Sequence, residues 1–220
     1  LADSGGLGKT YLGLRLLDDY AYHKHQTALV ICPAQLRDTL WGPKLLEKGI
    51  PALVMSQEEL GQRNFDLQKL LKYETILVDE SHNFRNPNAN RYDKLSHLLT
   101  LDKPKKLILL TATPVNNSIF DLYHQIQLIS RGYDDFFTSA GIRSLLGYFR
   151  QAEENKDQLY DLLEEITVRR SRYYVRKNYP NAIIDGKPVH FPERRLHTAH
   201  YSLERSYQGL YQEVASAIEN

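Results

Sequence analysis

Near the start of the chain, the string Asp3-Ser4-Gly5-Gly6-Leu7-Gly8-Lys9-Thr10 runs straight into a helix-forming segment, and this junction limits the fold more than any other stretch. Gly6 and Gly8 flank Leu7 and remove Cβ atoms where backbone N–H groups would close around an anion. Lys9 adds a point charge for the outer phosphates of a nucleotide, and Thr10 offers a hydroxyl to Mg2+. Tyr11 to Tyr22 reads as a helix with Leu14, Leu17 and Ala21 on one stripe, so the positive end of its dipole faces the same anion. A cradle of this kind belongs between a buried strand and a helix. The general pattern has a glycine where Asp3 stands, so the loop by itself leaves a plain Gly-rich turn open.

The rest of the chain supplies an alternation of strands and helices. Thr27 to Cys32 is a continuous apolar run stopped by Pro33, as expected of a strand covered on both faces. Pro33 to Arg37 opens a helical segment that carries Trp41 and ends near Lys48-Gly49. Ala52 to Ser56 is a short strand, and the polar Gln57 to Leu71 is helix-prone. Thr75 to Val78 is a strand that runs into Asp79-Glu80-Ser81-His82. After a turn-rich loop from Asn83 to Asn90 come a helix around Tyr92 to Leu99, a strand from Lys105 to Leu110, and an amphipathic helix from Ile119 to Ile129. This order predicts an α/β fold with a mostly parallel central sheet flanked by helices.

From Arg131 the pattern changes. Phe136 to Phe149 reads as an aromatic helix and Gln158 to Ile166 as an acidic one, together a helical insertion beside the sheet. A basic run follows (Arg169, Arg170, Arg172, Arg176, Lys177), interleaved with Tyr173, Tyr174 and Tyr179. It reads either as a solvated face or as a contact for nucleic acid or another lobe. Asp185-Gly186 after Ile183-Ile184 suggests a tight hairpin. Leu196 to Tyr201 reads as a last strand, and Leu203, Tyr207, Leu210, Val214 and Ile218 recur at helical spacing. The expected division is a core over 1–130, the insertion and basic segment over 131–190, and a last strand with a bridging helix over 191–220.

Composition removes several classes. In 220 residues with 42% hydrophobic content there is enough apolar material for one α/β domain and additional elements. A formal net charge of +1 makes no global basic field, so nucleic-acid contacts would have to be local. The single Cys32 excludes an intrachain disulfide and a cysteine zinc site. No signal peptide or long apolar run is present, and an intracellular protein without a membrane partner is expected. Only Leu1 and Ala2 precede Asp3, so the chain reads as a fragment that begins inside a structural unit.

Three segments carry the chemistry: the phosphate loop, the strand ending in Asp79-Glu80, and the strand ending in Thr111-Ala112-Thr113. Their order is that of a nucleotide-hydrolysing RecA-like lobe. Asp79 would hold Mg2+ mostly through water, while Glu80 would orient and deprotonate the attacking water, since one carboxylate does not easily do both. Thr111 and Thr113, hydroxyls on a neighbouring strand end, are placed to sense the γ-phosphate. They also suit a strand end simply as β-formers.

Gly6-Leu7-Gly8-Lys9-Thr10, Asp79-Glu80-Ser81-His82 and Thr111-Ala112-Thr113-Pro114 resemble motifs I, II and III of superfamily 2 helicases. The longer strings Asp79 to Asn86 and Leu109 to Asn117 resemble the Swi/Snf-type DNA translocases, as do Val168 to Arg172 and Phe191-Pro192-Glu193-Arg194. In that family an aspartate at position 3 is usual, whereas Ser4 departs from the usual glutamate. The resemblance implies Mg2+ and ATP as cofactor and substrate, duplex DNA held by its backbone, and a second RecA-like lobe in the full-length protein. It makes His82 a coupling residue, with a capped loop histidine as the plainer reading. It also places Pro33 and Gln35 (motif Ia), Ser56 (motif Ib), and Arg85 and Asn86 on the nucleic-acid track. Residues 1–220 read as one lobe only, and alone they are expected to bind Mg-ATP weakly and hydrolyse it poorly. An RNA or restriction-type superfamily 2 motor, or a degenerate lobe kept as a binding module, are the alternatives.

Overall fold

The computed structural model describes residues 2, 7–101, 103–115 and 118–154, and beyond these only 162–163, 167–168, 172–181, 183–184, 187–188, 197–198 and 216. Asp3 to Gly6, Arg169-Arg170 and Phe191 to Arg194 lie outside the described residues. So do the expected strand at 196–201, except 197–198, and the bridging helix, except 216.

The chain begins with α1 (Lys9–Asp18), continued by a π-helical turn over Asp19–His23, and enters β1 (Ala28–Cys32). A second helical stretch follows in three pieces: α2 (Ala34–Leu36), a π turn over Arg37–Trp41, and α3 (Gly42–Lys48), ended by Gly49 in the left-handed region at φ 65°. Next come β2 (Ala52–Ser56), α4 (Gln57–Leu60), a 3-10 turn at Leu67–Leu70, and β3 (Thr75–Val78). A 3-10 turn at Ser81–Phe84 leads to α5 (Asn90–Thr100), β4 (Lys106–Leu109) and α6 (Ile119–Ser130). Two further helices are described, α7 (Leu145–Glu154) and α8 (Arg172–Asn178).

Among the described residues the central sheet has the order β2-β1-β3-β4, with every pair parallel. Its side chains divide by strand alternation. Leu29, Ile31, Ile76 and Val78 pack with Tyr92, Leu95, Leu98 and Leu99 of α5 on one face. Ala28, Val30, Cys32 and Leu77 pack with Leu14, Leu17 and Ala21, and with Trp41 and Leu45, on the other. Burial on both faces explains why β1 and β3 are unbroken apolar runs. A third cluster joins α6 to α7 through Leu122, Tyr123, Ile126, Leu145 and Phe149.

Two expected helices are broken. In 57–71, α4 stops at Gly61, and Asp66 restarts the chain by accepting a hydrogen bond from the Gln68 amide. Around this break Phe65 and Leu67 turn onto the core, which a straight polar helix would not permit. In 136–149, a 3-10 turn over Thr138–Ala140 ends at Gly141 with φ 83°, and α7 starts only at Leu145. The described parts fall into two compact units, residues 1–180 and 181–220. The second contains the expected hairpin, with β5 (Ile183–Ile184) antiparallel to β6 (Lys187–Pro188).

Candidate nucleotide site

Register brings the motifs to one rim. Ile31 pairs with both Met55 and Val78, and Val78 pairs with Leu109, so the four strands end flush. Pro33, Ser56, Asp79 and Leu110-Thr111 therefore leave the sheet at the same carboxyl edge, where open α/β sheets hold ligands. The ladder extends past the strands through Asp79 N–H to Ile31 O (2.9 Å), Leu110 N–H to Val78 O (2.8 Å) and Ser81 N–H to Leu110 O (2.9 Å).

α1 starts over this rim. A Cβ at Gly13 would meet Leu77, Leu110 and Trp41, whereas Tyr20, at the far end, accepts from Gln26 just before β1. Lys9 lies four residues before Gly13, about 6 Å further toward the rim at the helical rise. Gly8 is the N-cap of α1 at φ 77°, a conformation that favours glycine, and it has no side chain with which to cap the first turn. Leu7, Lys9 and Thr10 are partly exposed, and Gly6 lies outside the described residues.

The acidic pair is tightly built. Asp79 is 6% exposed, and its two carboxylate oxygens accept from different donors: Oδ1 from the Glu80 amide at 2.9 Å and Oδ2 from Trp41 Nε1 at 2.8 Å. Its backbone carbonyl accepts from Gln57 Nε2 at 2.6 Å, and Asn83 Nδ2 donates to Gln57 Oε1 at 3.0 Å. Glu80 adopts φ 49°, ψ 49°, a left-handed conformation that is uncommon for a non-glycine residue and clusters at functional sites. Its side chain is 35% exposed, and its Oε2 lies 3.2 Å from His82 Nδ1. The same nitrogen is 3.3 Å from Thr111 Oγ1, which in turn accepts from the Thr113 amide at 3.1 Å. Gln125 of α6 closes the network, accepting from the Ser81 hydroxyl (2.9 Å) and donating to Pro114 O (2.8 Å).

Asp79, Glu80, His82, Thr111 and Thr113 thus lie at one rim, and α1, which opens with Lys9 and Thr10, runs with its first turn toward it. Pro33 and the exposed Gln35 stand beside them at the start of α2, and Arg85 and Asn86 follow the turn after the acidic pair. Ser56 is 4% exposed, and its hydroxyl accepts from the Glu59 amide at 3.0 Å as the N-cap of α4. Sequence reasoning missed the roles of Trp41, Gln57 and Gln125, the polar groups buried behind the rim.

A divalent ion fits this donor set. A carboxylate has about four acceptor sites, so acceptor directions on Asp79 remain beside its two donors. Among the described residues no cluster of three or more His, Cys, Asp or Glu side chains forms a metal site. Mg2+ is ordinarily held by one or two carboxylates with the substrate phosphates.

A parallel sheet flanked by helices, with an acidic pair and two threonines at its carboxyl rim, has the architecture of a RecA-like α/β lobe. A family model for the SNF2-related domain matches residues 43–202, and the chain belongs to that family. An uncharacterized ATP-dependent helicase of Bacillus subtilis, YqhH, is 25% identical over 232 residues, which covers 98% of this chain and 38% of the relative. The Xenopus tropicalis SWI/SNF-related matrix-associated actin-dependent regulator of chromatin subfamily A-like protein 1 is 28% identical over 204 residues, 82% of this chain and 21% of that one. The Sulfolobus solfataricus SWI2/SNF2 ATPase core, solved in complex with dsDNA, superposes with a TM-score of 0.59 at 21% identity, over 78% of this chain and 40% of that one. The chain spans well under half the length of each. No described helix is long and apolar enough to cross a membrane.

Proposed function

We propose that the chain is the ATP-binding first lobe of a motor that couples ATP hydrolysis to tracking along duplex DNA, and that a second RecA-like lobe of the same full-length protein completes the site. Family membership supports ATP as the substrate, and the dsDNA held by the Sulfolobus core supports the track. In this reading the amides after Gly6 and Gly8, with Lys9, bind the phosphates. Thr10 and Asp79 hold Mg2+, which when bound neutralises phosphate charge. Glu80 accepts the proton of the water that attacks the γ-phosphorus, and His82 carries the state of that carboxylate to Thr111 and Thr113. Pro33, Gln35, Arg85 and Asn86 lie along the DNA backbone, where contacts are sequence-independent and weaken with salt.

The observation that carries this reading is the Glu80–His82–Thr111 bridge across two adjacent strand ends, at the rim over which α1 starts. The test is ATP hydrolysis by the intact protein with duplex DNA, single strands or RNA as stimulator, beside Lys9→Ala. Stimulation by duplex above the others, abolished by Lys9→Ala, is expected, with residues 1–220 alone nearly inactive. Preferential stimulation by RNA would move the track to the alternative motor. Nucleotide binding unaffected by Lys9→Ala would overturn the ATP site altogether.

A further inference from the structure

Trp41 is fully buried, and in an apolar core its indole N–H needs an acceptor. The acceptor it has is not a backbone carbonyl but Oδ2 of Asp79, 2.8 Å away. The π turn over Arg37–Trp41 makes this possible. A π turn adds a residue to the helical repeat and so rotates the following side chains onto a new face. Gly13 then lets α1 close over the ring, since any Cβ there would come within 3.0 Å of Trp41 Cη2. Gln57 holds the same residue from behind: it is fully buried, its amide donates to Asp79 O at 2.6 Å, and the Asn83 donor sets which way that amide faces.

We infer that Trp41 is a positioning residue for Asp79, its N–H fixing the carboxylate so that the remaining oxygen directions face the metal of the nucleotide complex. This rests on the proposed ATP site. Trp41 is placed to act through Asp79, and the proposal gives it no direct part in the chemistry. A charge-assisted hydrogen bond of this kind removes rotation of the carboxylate about its Cβ–Cγ bond and satisfies one lone pair, leaving the other acceptor directions defined. Outer-shell partners of metal ligands typically contribute about 10–100-fold to metal affinity or activity.

The test compares Trp41→Phe, and a variant with 3-benzothienylalanine at position 41, with wild type and Asp79→Asn in the intact protein. The benzothienyl ring keeps the indole shape and replaces only the N–H with sulfur, which separates the hydrogen bond from packing. Each folded protein is titrated with Mg2+ at a fixed concentration of fluorescent ATP analogue, and binding of the analogue is also measured without metal. The expected result is a rise of about tenfold in the Mg2+ concentration needed for half-saturation in both Trp41 variants, with metal-free binding within twofold of wild type. A Mg2+ requirement within twofold of wild type in the benzothienyl protein overturns the inference, as does an equal loss of metal-free and metal-dependent binding. If wild type shows no Mg2+ dependence, or Asp79→Asn leaves it unchanged, the ATP-site reading fails and the inference with it.

Discussion

Nδ1 of His82 lies 3.3 Å from the Thr111 hydroxyl and 3.2 Å from Oε2 of Glu80, so one ring nitrogen links the acidic pair to the end of the next strand. Thr111 is 4% exposed, and its oxygen also takes the Thr113 amide, so Thr111→Val keeps the shape and deletes both contacts. Hydrolysis by the intact protein is predicted to fall about tenfold, equivalent to one hydrogen bond, with Mg-ATP binding within twofold. Glu80→Gln removes the base and is predicted to cost about 10²–10⁴-fold. Single-turnover hydrolysis beside a nucleotide titration separates the two; wild-type turnover in Thr111→Val would reduce the link to a structural contact.

Gly13 is predicted to resist substitution despite lying inside a helix. Exposed Gly→Ala in a helix gains about 1 kcal/mol, but a buried clash costs about 1–3 kcal/mol. Here the new Cβ would sit 3.0 Å from Trp41 Cη2 and 3.1 Å from a methyl of each of Leu77 and Leu110, all packed core atoms. The clash wins. Gly13→Ala is expected to lower the melting temperature by about 2–6 °C in calorimetry, whereas a rise would mean that the α1–Trp41 contact is loose.

Cys32 is fully buried in β1, and burial, then the negative charge of Asp79, push its thiol up from 9.0 to about 12. The folded state therefore keeps a proton that the unfolded chain gives up. This contribution to stability is full below about pH 9 and is lost as pH rises toward 12. At pH 8 the native protein is predicted to resist iodoacetamide, while the guanidinium-unfolded chain takes up one equivalent. Mass spectrometry reads the result, and native labelling would show that β1 opens readily.

The carboxyl of Asp134 is held below its ordinary 3.8, first by the Ser144 hydroxyl and then by the Leu146 amide, which donates to Oδ1 at 2.8 Å. It ties down the first turn of α7. A depressed carboxyl stabilises the fold above pH 3.8, and the benefit disappears as pH falls through the lower folded value. Asp134→Ala is predicted to cost about 0.5–1 kcal/mol at pH 7, the low end of the cap range because the group is exposed, and less at pH 2. Denaturant melts at the two pH values measure the difference.

The sheet was legible because β1 and β3 are covered on both sides, which leaves uninterrupted apolar runs, and because Asp79 follows such a run at once. The two broken helices were less so. Gly61 and Gly141 mark the breaks, but the turn of Phe65 and Leu67 onto the core depends on tertiary packing that helical periodicity does not encode. Ser56 carried a signal of its own: Ser56-Gln57-Glu58-Glu59 has the serine-to-glutamate spacing of a helix start, and its hydroxyl does cap α4. Trp41 stood in the sequence only as part of the second helical segment. Its burial required an acceptor for the N–H, and the nearest candidates by topology were the strand-end carboxylates, although the choice of Asp79 depends on the π turn.

Gln125 accepts from Ser81, beside the acidic pair, and donates to Pro114, beyond the threonines, from a single side chain of α6. Because α6 also shares a packed cluster with α7, that helix is a handle on both loops: a tilt imposed from outside would pull them in concert, and a swap of this one amide for leucine would let them drift apart.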